Sequence, residues 1–363
     1  MLCKICQLIT DLCGSFRIFK YITFRAACAS LTALMISFVF GPRLIKYFKS
    51  MQFGQMVRDD GPQTHLKKEG TPTMGGILII IAILVPSLLW CSLDSVSVWL
   101  VIIILIGYGA LGFADDYTKI RRKRSLGVKG KYKLFFEIML GFIIGSIIFY
   151  LSGIKKEEFS TVVQIPFFKE IIPDLGLLYI PFVILVLTGS SNSFNLSDGL
   201  DGLAIGLFTI TIGTLSVFAY CAGHSVIADY LGIIKISGAG ELAVICAAMV
   251  GAGLGFLWFN GYPAQIFMGD TGSLSLGGAM GMIAILVKQE ILLVILGGLF
   301  VAEALSVIIQ VLVFKRTGKR VFLMAPLHHH FEQRGWPESK VIIRFWIIAL
   351  ILAVISLSTL KMR

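Results

Sequence analysis

The residues best suited to chemistry are carboxylates that fall where long apolar runs end. Gly112-Phe113-Ala114-Asp115-Asp116-Tyr117-Thr118-Lys119 closes one such run with two adjacent acids ahead of a strongly basic stretch. Taken alone, Asp115 and Asp116 fit a helix boundary paired with Lys119 and Arg122 as well as they fit catalysis. A second cluster tips the balance, because Asn192, Asn195, Asp198 and Asp201 recur at every third position of SSNSFNLSDGLDGL with Gly199 and Gly202 between them. On an ideal α-helix such a row drifts by about 60° per step, so it spirals over roughly half the helix unless the glycines break it. Either way, polar side chains and open backbone gather at one membrane edge, as a phosphorylated ligand requires. The plain alternative is a Gly-Asp turn between two helices.

A third cluster, Trp258-Phe259-Asn260-Gly261-Tyr262-Pro263-Ala264-Gln265-Ile266-Phe267-Met268-Gly269-Asp270-Thr271-Gly272-Ser273, sets Asp270 at the start of a further apolar run. A carboxylate opening a helix is a good N-terminal residue on structural grounds alone. Together with Asp115, Asp116, Asp198 and Asp201 it gives hard oxygen ligands beside basic loops, which suits magnesium holding a pyrophosphate. The stretch Met324-Ala325-Pro326-Leu327-His328-His329-His330-Phe331-Glu332 holds three consecutive imidazoles that cannot share one face of a helix. Metal chelation, a polar surface loop and hydrogen bonding to phosphate or sugar all stay open for it. Lys67-Lys68-Glu69-Gly70-Thr71-Pro72-Thr73-Met74-Gly75-Gly76 leads into another run, and its lysines, Lys68 among them, can neutralise phosphate. Thr-Pro is also an ordinary helix start.

These residues must be positioned by membrane helices. The chain of 363 residues is 56% hydrophobic and 15% charged, with a mean hydropathy of +0.87, far from the composition of water-soluble domains. Apolar segments near 21–40, 74–93, 97–114, 134–153, 176–194, 203–221, 238–258, 268–287, 289–312 and 341–360 predict about ten transmembrane helices. The expected fold class is an all-α polytopic membrane protein, one integral domain over residues 1–363, with no repeat of fixed period. Basic residues concentrate in alternate loops around 43–68, 119–133 and 315–340, which the positive-inside rule makes cytoplasmic. An even number of spans then leaves both termini periplasmic. The net charge of +11 reads as topology, not as nucleic-acid binding. Arg25, close to the end of the first span, is expected to snorkel to the outer interface. Seven cysteines without a repeated spacing argue against a disulfide framework or a zinc site, and no cleaved signal peptide is expected.

The motifs DDYTK, NLSDGLDGLA, FNGYPAQIFMGDTGSL, TPTMGG and MAPLHHHFE together resemble the phospho-N-acetylmuramoyl-pentapeptide transferases, within the polyprenyl-phosphate N-acetylhexosamine 1-phosphate transferase superfamily. The resemblance covers essentially the whole chain. It implies attack by undecaprenyl phosphate on the sugar-side phosphorus of UDP-N-acetylmuramoyl-pentapeptide, forming the first lipid-linked peptidoglycan intermediate and releasing UMP with Mg2+ as cofactor. By likeness, Asp270 is the principal magnesium ligand, Asp116 supports metal or phosphate, and Asp115 prepares the acceptor. Lys119, Lys131 and Lys133 bind phosphate. Asp201, Asn260 and Phe267 hold the uridine, Asn195 and Asp198 shape the floor, Asn192 and Lys68 are among the substrate-binding residues, and His328, His329 and His330 serve the sugar or pyrophosphate side, His329 in catalysis. The implied setting is the bacterial inner membrane with the active site on its cytoplasmic face, membrane lipid around it, a homodimer left open, and no nucleic acid. Two rivals stand beside this reading: an N-acetylglucosamine-1-phosphate transferase of the same superfamily, against which the triple-His loop speaks, and a secondary transporter, whose acids would sit near the midplane of repeated halves.

Overall fold

A computed structural model describes residues 14–51, 70–122, 127–168 and 171–362. Lys68 therefore lies outside the described residues. Thirteen α-helices are present among them: α1 (Ile22–Ser50), α2 (Gly76–Trp90), α3 (Val96–Arg122), α4 (Gly130–Ile154), α5 (Tyr179–Ser197), α6 (Leu203–Gly223), α7 (Ser225–Leu231), α8 (Ala239–Asn260), α9 (Gly269–Leu286), α10 (Glu290–Leu296), α11 (Gly298–Thr317), α12 (Leu327–Gln333) and α13 (Glu338–Met362). Eight are long and apolar enough to cross a membrane: α1, α3, α4, α5 with the turn before it, α6, α8, α11 and α13. The protein is an all-α, multi-pass membrane protein.

Its surface bears this out. Leu31, Met35, Phe38, Val39 and Phe40 on α1, and Ile347, Leu350, Ile351 and Val354 on α13, are all exposed. Contiguous apolar faces of that size have no place in water but are the natural surface toward lipid.

Two predicted spans differ from the rest for a physical reason. At 15 residues α2 is short, and α9 is rich in Gly and Ser yet buried throughout from Thr271 to Leu286. A helix sheathed by protein has no lipid to satisfy, so composition does not force it to be strongly apolar. Small residues instead let α3, α5 and α2 close around α9.

Arg25 corrects the expectation of snorkelling. It is only 5% exposed and grips Glu241 of α8 bidentately, at 2.8 Å and 2.6 Å, while donating to the Trp90 carbonyl at 3.1 Å. The Ser92 amide adds a bond to the same carboxylate at 2.7 Å. The pair ties α1, the end of α2 and α8 together at the end of the bundle opposite Asp270. Near that end Lys288 Nζ reaches the Tyr179 hydroxyl at 2.7 Å, and that hydroxyl donates to Glu290 at 2.6 Å. Cys28, Cys91, Cys221 and Cys246 are free thiols.

Candidate active site

The site begins with a close approach of two backbones. A Cβ on Gly112 would collide with the Asp270 carbonyl oxygen, so only glycine lets α3 lie against the start of α9. One turn on, α3 presents Asp115 and Asp116. The Asp116 carboxylate meets the N-terminus of α9, accepting from the Asp270 amide at 3.1 Å, the Thr271 amide at 2.9 Å and the Thr271 hydroxyl at 2.7 Å. It thus caps another helix and complements its dipole. Gly269 completes the junction: its φ of +72° suits glycine, and a Cβ there would lie 2.5 Å from Asp116 Oδ2.

Each of Asp115, Asp116 and Asp270 offers a carboxylate oxygen within 4.8 Å of the others. Two ammonium groups sit among them. Lys119 Nζ lies 2.6 Å from Asp115, 3.2 Å from Asp270 and 3.8 Å from Asp116, while Lys133 Nζ, from the first turns of α4, lies 2.9 Å from Asp115 and 2.5 Å from Asp270. Asn195 of α5 donates to Asp270 Oδ1 at 3.2 Å and to the Ser273 hydroxyl at 2.7 Å. The Val128 amide donates to Asp115 at 2.7 Å. Helix α5 ends at Ser197 and α6 starts at Leu203, so the glycines do break the Asn/Asp row, with Gly202 at φ +78°. Burial, then the Asp270, Asp116 and Asp201 carboxylates, push Asp198 in this turn up to about 7. A field that negative calls for a cation. The donors are all hard oxygens, and the lysines already stand in part where positive charge is wanted, so the residues fit magnesium.

The TPTMGG segment borders the same junction. Phe267 N donates to the Pro72 carbonyl at 2.8 Å, Gly75 N to the Phe267 carbonyl at 2.8 Å, and Gly76 N to the Met268 carbonyl at 2.9 Å. Asp201 and Asn260 are buried and clasp two loops together. Asp201 Oδ2 accepts from Ala264 N at 3.0 Å, and Asn260 accepts from Gly202 N at 3.1 Å while donating to the Ile266 carbonyl at 2.9 Å. Phe267, half-buried, follows this loop.

The three histidines diverge along α12, as their spacing requires. His328 is 0% exposed, its Nδ1 3.2 Å from Glu303 of α11 and its ring against Gly199. His329 Nδ1 pairs with Glu332 at 2.7 Å. His330 Nδ1 accepts from Leu323 N at 3.1 Å, and burial, then Arg334, hold its pKa below the usual imidazole value.

The structure therefore brings Asp115, Asp116, Lys119, Lys133, Asn195 and Asp270 into one cluster with Asp198 beside it. Lys131 is exposed on α4, and no ion pair joins it to the carboxylates among the described residues. Asn192 points instead to Glu137, which it meets at 2.6 Å. Sequence reasoning passed over Glu137, Glu303, Glu338 and Thr271. For Glu137 and Glu303 a signal existed: each is an acid inside an apolar run, where a charge is costly and has a reason. Glu338 accepts from Asp201 N at 3.0 Å, and neither it nor Thr271 stands out from its sequence neighbourhood.

Comparison with known proteins converges on the same reading. Residues 98–288 match the family model described as glycosyl transferase family 4, and residues 68–80 match phospho-N-acetylmuramoyl-pentapeptide-transferase signature 1. The chain is 56% identical over 348 residues to the phospho-N-acetylmuramoyl-pentapeptide-transferase of Geobacter sp. (strain M21), covering 96% of each chain. To that of Thermodesulfovibrio yellowstonii it is 53% identical over 364 residues, covering 100% of each, and to that of Desulfatibacillum aliphaticivorans 56% identical over 351 residues, covering 96% of each. With identities of this size running nearly end to end, the chain belongs to the phospho-N-acetylmuramoyl-pentapeptide-transferase family.

Proposed function

We propose that the chain transfers phospho-N-acetylmuramoyl-pentapeptide from its UDP-linked precursor to undecaprenyl phosphate, at the cytoplasmic face of the bacterial inner membrane. The observation that carries this reading is the cluster of Asp115, Asp116 and Asp270 with Lys119 and Lys133, at the end of the bundle where α3 runs into its basic turn. One substrate is dissolved in the bilayer and the other in water, so a polar cluster at a helix edge is where the two can meet. Ten spans with both termini periplasmic, in one domain over 1–363, agree with the basic loops at 119–133 and 315–340 being cytoplasmic.

In this reaction an oxygen of the lipid phosphate forms a bond to the sugar-side phosphorus as the bond from that phosphorus to the UMP oxygen breaks. Such chemistry demands positioning and charge neutralisation above all. Magnesium, held by Asp270 with support from Asp116, would supply Lewis-acid neutralisation of the pyrophosphate. Lys119 and Lys133 bind the phosphates, with Lys68 and Lys131 assisting. Asp115 takes up any proton left on the acceptor, whose second pKa is about 6. Asn195 and Asp198 shape the floor. Asp201 and Asn260 hold the loop that offers Phe267 to the uracil ring. His329, held by Glu332, and His330 serve the sugar and pyrophosphate side, with His328 buried behind them against Glu303 and Gly199. Direct attack is favoured over an Asp-linked intermediate, because carboxylates engaged by cations are poor nucleophiles.

Turnover of UDP-N-acetylmuramoyl-pentapeptide should greatly exceed that of UDP-N-acetylglucosamine, and comparable rates would favour the rival transferase. Labelled UMP should not exchange into the precursor in enzyme stripped of polyprenyl phosphate, whereas sustained exchange would support a covalent route.

A further inference from the structure

Glu137 is the one carboxylate on α4 that faces the bundle without touching the acidic cluster. It is 1% exposed and lies inside a span that is otherwise apolar below Lys133. Its Oε2 accepts from Asn192 Nδ2 at 2.6 Å, and its Oε1 lies 3.4 Å from the Ser191 hydroxyl, which also reaches the Leu274 carbonyl at 3.2 Å. Its own backbone carbonyl accepts from Tyr108 of α3 at 3.3 Å. Four helices are thus tied at one level: α4 to α5 through the side chain, α4 to α3 through the carbonyl, and α5 to α9 through Ser191.

That level sits one helical turn from the cluster on both partner helices. Lys133 is four residues before Glu137 on α4, and Asn195 is three residues after Asn192 on α5, so each pair shares a face. Lys133 and Asn195 are the groups that these two helices send to Asp270, at 2.5 Å and 3.2 Å. A buried carboxylate in a membrane span is costly, and a plain packing contact between α4 and α5 would not need one. We infer that Glu137 is a positioning residue: by binding Asn192 and Ser191 it fixes α4 against α5 so that Lys133 and Asn195 converge on Asp270. This rests on the transferase reading above and adds a residue to it.

The test uses the full-length chain in detergent, with UMP release and the thermal shift induced by magnesium as separate readouts. Glu137→Ala should lower kcat about 10- to 100-fold, the range expected for misplacement of about 1 Å, while changing the donor KM by less than about threefold. It should also raise the magnesium concentration that gives half the thermal shift. Glu137→Gln, whose amide oxygen still accepts from Asn192, should recover most of the kcat lost in Glu137→Ala. Asn192→Ala should reduce kcat as Glu137→Ala does, and the double variant should be no worse than either, because all three break one link.

A folded Glu137→Ala protein with kcat within twofold of wild type, a Glu137→Gln variant no better than the Ala variant, or losses that multiply in the double variant would each overturn the inference. If Glu137→Ala does not fold, Asn192→Ala decides: wild-type kcat there overturns the inference, and a loss of about tenfold or more supports it. Wild-type protein that releases no UMP would refute the transferase reading instead. In that case a magnesium shift unchanged by Asn192→Ala would still overturn the role given to Glu137.

Discussion

Replacing Asp116 with Asn probes the junction on which the cluster depends. In the native junction Oδ1 accepts from the Asp270 amide at 3.1 Å, and Oδ2 accepts from both the amide and the hydroxyl of Thr271 at 2.9 Å and 2.7 Å. An Asn side chain keeps one acceptor and turns the other into a donor, so in either orientation an α9 backbone N–H faces an NH2 group. Losing a hydrogen bond to a charged acceptor costs about 1.5–3 kcal/mol, and leaving a buried donor unsatisfied costs about 1–3 kcal/mol. The junction should therefore weaken by about 2.5–6 kcal/mol, the sum of those two ranges. Because Asp270 is itself one of the residues being capped, turnover should fall by about 10²–10³-fold, the scale seen when a preorganised charge contact is removed. Thr271→Val removes the hydroxyl bond alone and should cost about 1.5–3 kcal/mol and less than tenfold in rate. UMP release at saturating substrate and thermal unfolding of both variants give the comparison. Near-native turnover and melting in Asp116→Asn, or equal damage from Thr271→Val, would refute the capping argument.

Arg25→Ala should destabilise the protein by about 1.5–3 kcal/mol by removing the charge-assisted bonds to the part-buried Glu241, while folded protein retains its kcat because the pair lies at the other end of the bundle; a variant as stable as wild type would contradict that pair. Gly269→Ala should cut turnover at least about tenfold, since its φ disfavours a side chain by about 1–2 kcal/mol and the new Cβ would press on Asp116; unaltered kinetics would argue against the tight junction. Asp198, pushed up to about 7, holds its proton in the metal-free folded state where the unfolded chain, with a carboxyl near about 3.9, has released it. The native state then binds more protons between about pH 4 and 7, so metal-free stability falls as pH rises through that window. Magnesium relieves the same crowding, and its thermal shift should grow from pH 5.5 to pH 8; a shift that shrinks over that range would contradict the electrostatics.

Much of this was legible in the sequence because membranes impose simple rules. The apolar runs are helical, the one at 289–312 broken at Gly297 into α10 and α11, since the bilayer leaves the backbone little other partner, and the acids at 115, 116 and 270 stood out at the ends of those runs. Pairing across distance was not legible. Nothing local says that Arg25 finds Glu241, 216 positions away, and a lone Arg near a helix end snorkels unless an acid faces it. Asp116 read as a ligand, yet its oxygens meet amides 154 and 155 residues further on. His328 read as one of three equivalent imidazoles, but Glu303, an acid hidden in an apolar run, draws it into the interior. Glycine spacing carried more information than it first yielded: Gly112 and Gly269 mark where α3 and α9 touch, which identifies the acids that share a cluster.

Magnesium-dependent release of UMP by the purified full-length chain, compared between wild type and Asp270→Asn, tests the assignment of the carboxylate and lysine cluster most directly. With UDP-N-acetylmuramoyl-pentapeptide and undecaprenyl phosphate both present, wild type should release UMP only when magnesium is added. Asp270→Asn, folded and with an unchanged melting profile in chelator, should lose that activity by at least about 10²-fold together with the magnesium-induced thermal shift. Release that persists in chelator, or an Asp270→Asn protein that keeps both turnover and metal response, would contradict placing the chemistry at this cluster.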